Sequence, residues 1–478
     1  MNLMRMPLLG GLLRSPILQR TLQLVLLAGY LALVVLGLGQ DGIPGVPDLH
    51  PRMYTHATTL LFWVVWLMGL VFLAPLAARA WCGVCPLGYL TDVMGRRGLA
   101  LRWPRWVRSG WGTLALFGLG VLAVVRFEAH RSPHLTALLI GAVGVVAVCS
   151  ALLWRRSAFC KGLCPVGSVL HLYSRYAPLR VLPVSAEGCH DCGHAGCVIR
   201  RRQWRRWDVG RWVVQRQVSR GGCPVALYPP DMDTGACLLC LRCVRNCPEG
   251  NLGLFLRSTG ERRPLDPTRV GTLVVVLGLV AYALTRTWPV LQRWLVAGGD
   301  PSGDIAGVWL VLGFPALLVC APGVISAGLY RLRGQEVPRP GARVKPEPPA
   351  TRTALAREKL GRWVLPLIGP LLGAHAALAL VKLNAKGGYL PYLFYDPQGA
   401  STYLAVHVAR VLPQPDLLVH LPVLRWVAVV TFAVGLAAGV HQALKSWKGD
   451  PAMSMVLYAA SFVAVSGLLG GALVHWLF

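Results

Sequence analysis

Cys237, Cys240 and Cys243 stand at three-residue steps, Cys247 follows four residues later, and Pro248 closes the run. Thiolates at this spacing reach a compact inorganic core from several directions. A short loop wraps that core, turns its amides towards the sulfurs, and leaves at the proline. These are the requirements of a cubane [4Fe–4S] cluster. Zinc is the alternative, but structural zinc sites draw on two separated Cys or His pairs. Three thiols in so short a stretch do not read that way.

The spacing C-x2-C-x2-C-x3-C-P is the bacterial ferredoxin pattern, in which the fourth cysteine of each run serves the other cluster. A second run is therefore expected. Cys189, Cys192 and Cys197 supply three thiols, and Cys223 precedes Pro224 after a long insert. The assignment places Cys189, Cys192, Cys197 and Cys247 on one [4Fe–4S] cluster. Cys223, Cys237, Cys240 and Cys243 hold the other. His190 and His194 lie inside the second run. Thiolates are favoured on such clusters, so both histidines read as neighbours of the site.

Two further cysteine pairs repeat each other. One is Trp81-Cys82-Gly-Val-Cys85-Pro86-Leu-Gly88, and the other is Cys160-Lys-Gly-Leu-Cys164-Pro165-Val-Gly167. Each follows two apolar runs and leads into a short amphipathic stretch, which marks an internal repeat. Three readings stand open. Cys82, Cys85, Cys160 and Cys164 are the right number of thiolates for one metal or electron-relay site. A C-x-x-C pair is also a dithiol whose spacing lowers a thiol pKa. The third reading is that the pairs stiffen a helix turn. Cys320-Ala-Pro322-Gly323 is a candidate degraded third copy. A lone cysteine in an apolar run, as at Cys149, more often packs.

The elements that must position these thiols lie in a bilayer. The chain has 478 residues, 55% hydrophobic and only 14% charged, which is membrane composition. Its net charge of +28 fits cytoplasmic loops facing anionic lipid better than nucleic acid, which is not expected as a partner. Read as ligands, the cysteines belong in a reducing cytoplasm. Apolar runs near 18–39, 57–79, 110–127, 134–154, 269–288, 305–330, 362–382, 418–444 and 453–477 predict about nine spans. The first is read as a retained helix, since no small-residue cleavage site follows it.

The bias of Lys and Arg orients the chain. Arg5, Arg14 and Arg20 precede the first span and place the N-terminus inside. The Asp41–Asp48 loop, the loop at Glu128, the loop with Asp300 and Asp304, and loop 383–417 fall outside. Arg96 to Arg108, the cluster segment, the linker 331–361 and Lys445 fall inside, and Phe478 ends outside. The expected fold class is therefore mainly α, a polytopic helical membrane protein with a cytoplasmic two-cluster ferredoxin-like module between spans four and five. The expected domains are 1–154, 155–268, 269–330, 331–361 and 362–478. The location is a bacterial-type cytoplasmic membrane. The insert 199–220, with Arg201, Arg202, Trp204, Trp207 and Trp212, suits the lipid headgroup layer.

The C-terminal spans carry His375, His420, His441 and His475. Histidine inside a membrane is a functional-site candidate, as a quinol base or a b-type haem ligand. Near span ends it is also simply hydrated. His375 is the deepest, and Gly369, Pro370 and Gly373 beside it are expected to open a lateral slot for a quinol ring. His375 is thus the candidate catalytic base. The outer loop Gly387 to Asp396 is aromatic and is read as a cap or docking surface.

Hairpins ending in Cys-Pro pairs, followed by a two-cluster module, resemble the membrane polyferredoxins of the NapH and NosR type. More distantly they are similar to the CcoG/RdxA proteins of oxidase assembly. The resemblance covers about residues 57–250. It implies electron transfer tied to the quinone pool and to respiratory nitrogen-oxide reduction, with a membrane or extracytoplasmic redox partner protein. The alternative it implies is an assembly or maturation factor that reduces a metal or disulfide for another protein. Three features depart from that pattern. Cys82/Cys85 is one residue shorter than the usual pair, no flavin-bearing domain precedes the spans, and the C-terminal third has no counterpart. No C-x-x-C-H occurs, which excludes covalent c-type haem.

Overall fold

A computed structural model describes residues 2–48, 50–154, 158–185, 187–190, 192, 197, 201–209, 212–220, 222–225, 227–233, 235–247, 249–256, 263–285, 313, 315–322, 325, 352–447 and 452–478. Among these, seven helices are long and apolar enough to cross a membrane. They are Pro16–Gly37, Ala57–Ala77, Pro133–Leu153, Pro267–Leu284, Glu358–Gly387, Leu421–Ser446 and Met455–Leu477. The chain is a multi-pass helical membrane protein. Helix starts follow local chemistry. Pro16 and Pro133 occupy the first turn, and Ser15 and Ser132 accept the backbone N–H of Leu18 and Leu135.

One expected span differs. The third is the helix Trp111–Arg126, and its 16 residues reach about 24 Å against a hydrocarbon core of about 30 Å. It starts after Gly110, held at φ +86, and ends at Arg126 with Glu128 and Arg131 just beyond. Charge and a glycine turn thus trim both ends. The sixth, 305–330, lies mostly outside the described residues, as do the loop at Asp300 and Asp304 and residues 331–351 of the linker.

A second correction concerns Gly369, Pro370 and Gly373. They open no slot. The helix Ile368–Gly387 packs its Gly369 and Gly373 onto Gly435 and Gly439 of the helix Leu421–Ser446. A Cβ at Gly435 would stand 2.6 Å from the Gly369 carbonyl oxygen. Two small-xxx-small motifs facing each other let the backbones touch, which is how helices associate where lipid offers no hydrophobic drive. The main core joins these helices to Pro267–Leu284, to Met455–Leu477 and to the second span through Val71, Leu273, Leu277, Leu371, Ala428 and Leu469.

The cysteine-rich module hangs from a two-stranded antiparallel sheet. Strand β1, Leu179–Pro183, pairs with β4, Leu252–Leu256, Val181 opposite Leu254. The strands close the module where the chain enters and leaves it, and Asn2 bridges to Phe255. Met4, Val181, Leu241, Val244 and Leu254 form its small core. The basic insert is a β-hairpin, β2 at Arg201–Val209 and β3 at Trp212–Arg220, paired from Arg201↔Arg220 to Val209↔Trp212. Its side chains lie outside the described residues.

Candidate functional site

The Cys237–Cys247 loop turns through two left-handed non-glycine residues, Leu239 at φ +46 and Leu241 at φ +53. Each such residue costs about 1–3 kcal/mol and persists where surrounding structure demands it. The return is convergence of amides. Backbone N–H groups of Leu239, Arg242 and Val244 point at the sulfurs of Cys237, Cys240 and Cys243 respectively. Those three cysteines and Cys223 line one small cavity with Val181, Pro224 and Leu238. The other four expected ligands also gather. Cys197 lies within electrostatic range of Cys247, Cys189 and Cys192. Asn251 donates to the Cys189 sulfur at 3.4 Å. The His190 side chain and His194 lie outside the described residues.

Burial pushes the Cys237 thiol up to about 12 and raises Cys240 and Cys243 as well. Three thiols held out of water, with amides aimed at them, suit a group that strips their protons on binding. The donor set fits a [4Fe–4S] cluster at each foursome, and the enclosure is clearest around Cys237, Cys240 and Cys243.

The Cys-Pro pairs fold alike. Cys85 and Cys164 are the N-caps of the short helices Pro86–Gly95 and Pro165–Tyr173, each with proline in its first turn. The Gly167 amide donates to the Cys164 sulfur at 3.2 Å. Both helix N-termini thus bring partial positive charge to a sulfur. All four thiols face one place. Cys160 lies within electrostatic range of Cys164, Cys85 and Cys82. Burial pushes Cys85 up to about 12 and Cys164 up to about 11. The expected lowered thiol pKa of a C-x-x-C dithiol is absent for Cys85.

Arg79 sits among these sulfurs. It is 3% exposed, hydrogen-bonds Cys82, and has Cys164 and Cys160 as further neighbours. Gly167 makes this possible, since a Cβ there would stand 2.8 Å from the Arg79 guanidinium. The same guanidinium donates to the Gly235 carbonyl at 3.1 Å, two residues before Cys237.

The module is clamped onto the first pair. Gly83, between Cys82 and Cys85, lies so close that a Cβ would meet the Leu239 carbonyl oxygen at 3.1 Å. Gln19 and Gln23 donate to the Gly83 carbonyl at 2.6 and 3.0 Å. Arg242 pairs with Asp92 at 2.8 Å, joining the cluster loop to the helix after Cys85.

Above the pairs opens an apolar cavity of about 2250 Å³. Arg79, Trp81 and the four Cys-Pro thiols line it, as do His50, Glu128, Arg131 and Lys386. His375, Tyr173 and Trp66 line it as well. His375 Nδ1 and Tyr173 Oη are 2.8 Å apart. Its walls come from the N-terminal hairpins as well as from Ile368–Gly387, so the site is shared and not confined to the C-terminal bundle. Of the four C-terminal histidines only His375 lines it; His420, His441 and His475 are exposed.

Sequence reasoning missed Arg79, Tyr173 and Trp66. Arg79 had a signal, a lone cation at the end of an apolar run and three residues before Cys82. Tyr173 and Trp66 carried none, because their roles arise from contacts far along the chain. Trp66 belongs to a π-helical stretch, Leu60–Trp66, of the second span. Such stretches are frequent at functional sites.

Comparison with known proteins places a 4Fe–4S binding domain on residues 59–113 and 135–183. These segments hold the two Cys-Pro pairs, not the Cys189–Cys247 module. The chain is 23% identical over 219 residues to YccM of Escherichia coli (strain K12), whose name assigns it provisionally to electron transport. The match takes in 40% of this chain and 54% of YccM, so the chain spans about half that relative's length. No solved structure matches. The protein thus combines 4Fe–4S binding with a bundle of membrane-spanning helices, and is distantly related to YccM.

Proposed function

We propose that this protein carries electrons between the quinone pool and a respiratory reductase system, of the nitrogen-oxide type by its resemblance to the NapH and NosR polyferredoxins. Two [4Fe–4S] clusters are its carriers, one on Cys189, Cys192, Cys197 and Cys247, the other on Cys223, Cys237, Cys240 and Cys243. The relation to YccM agrees with electron transport. The observation that carries the reading is the cavity, because a single apolar space is lined both by His375 and by the thiols beside the module. Its lining suits an isoprenoid tail, and its few polar groups suit a ring head.

Oxidising one quinol releases two electrons and two protons. His375 takes the first proton, and the second leaves by way of the polar groups His50 and Glu128 that also line the cavity. In the tautomer whose Nδ1–H donates to Tyr173 Oη, the Nε2 lone pair is free to accept it. When bound at the two cysteine foursomes, the clusters would supply one-electron acceptors for the pair. Tyr173 fixes the imidazole, and the apolar walls exclude water. The ferredoxin module lies on the cytoplasmic side and Phe478 outside, by the distribution of Lys and Arg.

Photolabelling with an azidoquinone tests the site. Label should fall on peptides containing Trp66, Tyr173 or His375 and be displaced by excess quinone. Label confined to other peptides, or not displaced, would overturn the assignment.

A further inference from the structure

The Cys-Pro pairs call for a charge that the protein's described groups do not supply. Arg79 is buried, and a guanidinium keeps its proton in proteins. Its Nε lacks a hydrogen-bond partner among the described residues. An isolated buried cation is costly unless it is paired. Around it stand Cys82, Cys160 and Cys164, with Cys85 beside them. The helix N-termini at Cys85 and Cys164 add to the positive field. The whole pocket is built for an anion that includes the four sulfurs.

Single-ion coordination does not match the spacing. Ligands of one zinc sit about 2.3 Å from the metal and so crowd together. Among the described residues, no three His, Cys, Asp or Glu side chains gather that tightly. The same holds for the Cys223, Cys237, Cys240 and Cys243 foursome, whose pattern is that of a cubane.

We infer that Cys82, Cys85, Cys160 and Cys164 hold a third [4Fe–4S] cluster, with Arg79 as its buried counter-charge. Four thiolates leave a cubane negatively charged in both oxidation states, which pairs the guanidinium. Match of a 4Fe–4S binding domain to the two segments bearing these pairs agrees with this. The site lies between the cavity and the module. Gly83 touches the Leu239 carbonyl, and Arg79 bonds the Gly235 carbonyl, so a cluster here adjoins the Cys237–Cys243 loop. One electron entering the third cluster and one leaving it balance, whatever the outside donor.

The test is iron content and spin count of the full-length protein, purified without oxygen. Three clusters give about twelve irons, against about eight for two. Dithionite reduction should give three cluster spins per chain. Cys82→Ser with Cys160→Ser should remove about four irons and one spin, while Cys149→Ser with Cys320→Ser removes none. Arg79→Gln should lower the midpoint potential of one cluster, and Arg79→Lys should restore part of it. Wild-type iron near eight, stoichiometric zinc, or a Cys82–Cys85 disulfide by mass spectrometry would overturn the inference. None of these readouts uses quinol, so the third cluster and the quinol reading stand or fall separately.

Discussion

Tyr173 Oη lies 2.8 Å from His375 Nδ1, across 202 positions of chain. Tyr173 ends the short helix that starts at Cys164-Pro165, and His375 lies within a C-terminal span. The hydrogen bond thus ties a Cys-Pro motif to the candidate quinol base. Tyr173→Phe should remove about 1 kcal/mol of orientation, or roughly a fivefold loss in the rate of cluster reduction by quinol. Dithionite reduction should be unchanged. Equal slowing by both reductants would place the effect in the clusters and not at His375.

Gly83 is the contact between the Cys82/Cys85 pair and the module. A valine there overpacks against the Leu239 carbonyl and should cost about 1–3 kcal/mol. The readout is the thermal midpoint for loss of the iron–sulfur absorbance, which should fall more for Gly83→Val than for Gly83→Ala. Unchanged midpoints would mean the module is not held at this point.

Asp92 supplies a pH test. Burial would raise its pKa, but the hydrogen bond and charge of Arg242, with those of Arg96, bring it down to about 2. A depressed carboxyl stabilises fully above its unfolded pKa near 4 and loses that contribution as pH falls through the folded value. Asp92→Asn should therefore cost about 2 kcal/mol, constant from pH 5 to pH 8. The midpoint measurement above, repeated over that range, checks it. A gap between wild type and Asp92→Asn that changes across pH 5–8 would contradict the pairing.

Much of this was legible in the sequence because the signals are local. Cysteine spacing along the Cys237–Cys247 run marks a cluster loop without reference to anything distant, and apolar run lengths give most spans within a few residues. What failed was non-local. Gly369 and Gly373 read as an opening, yet they meet Gly435 and Gly439 as a seam, and only the partner helix decides between the two. The insert 199–220 is read for its basic and aromatic residues, and the pairing of Arg201–Val209 with Trp212–Arg220 leaves no signal in that reading. Arg79 became meaningful once Gly167 and the thiols of both repeats closed around it.

Orientation is tested from the far end. A C-terminal alkaline phosphatase fusion should be active, because the Lys and Arg bias predicts Phe478 outside. An inactive fusion at good expression would mean that the number of crossings is even.

The central claim is that quinol, bound beside His375, reduces the clusters. Rapid mixing of the oxidised protein with a soluble quinol, followed by iron–sulfur absorbance, measures this directly. The wild type should bleach rapidly. His375→Ala should bleach at least tenfold more slowly, a loss of about 1.4 kcal/mol or more, with dithionite bleaching intact. Wild-type quinol kinetics in His375→Ala, or no quinol reduction in a wild type that dithionite reduces fully, would contradict it.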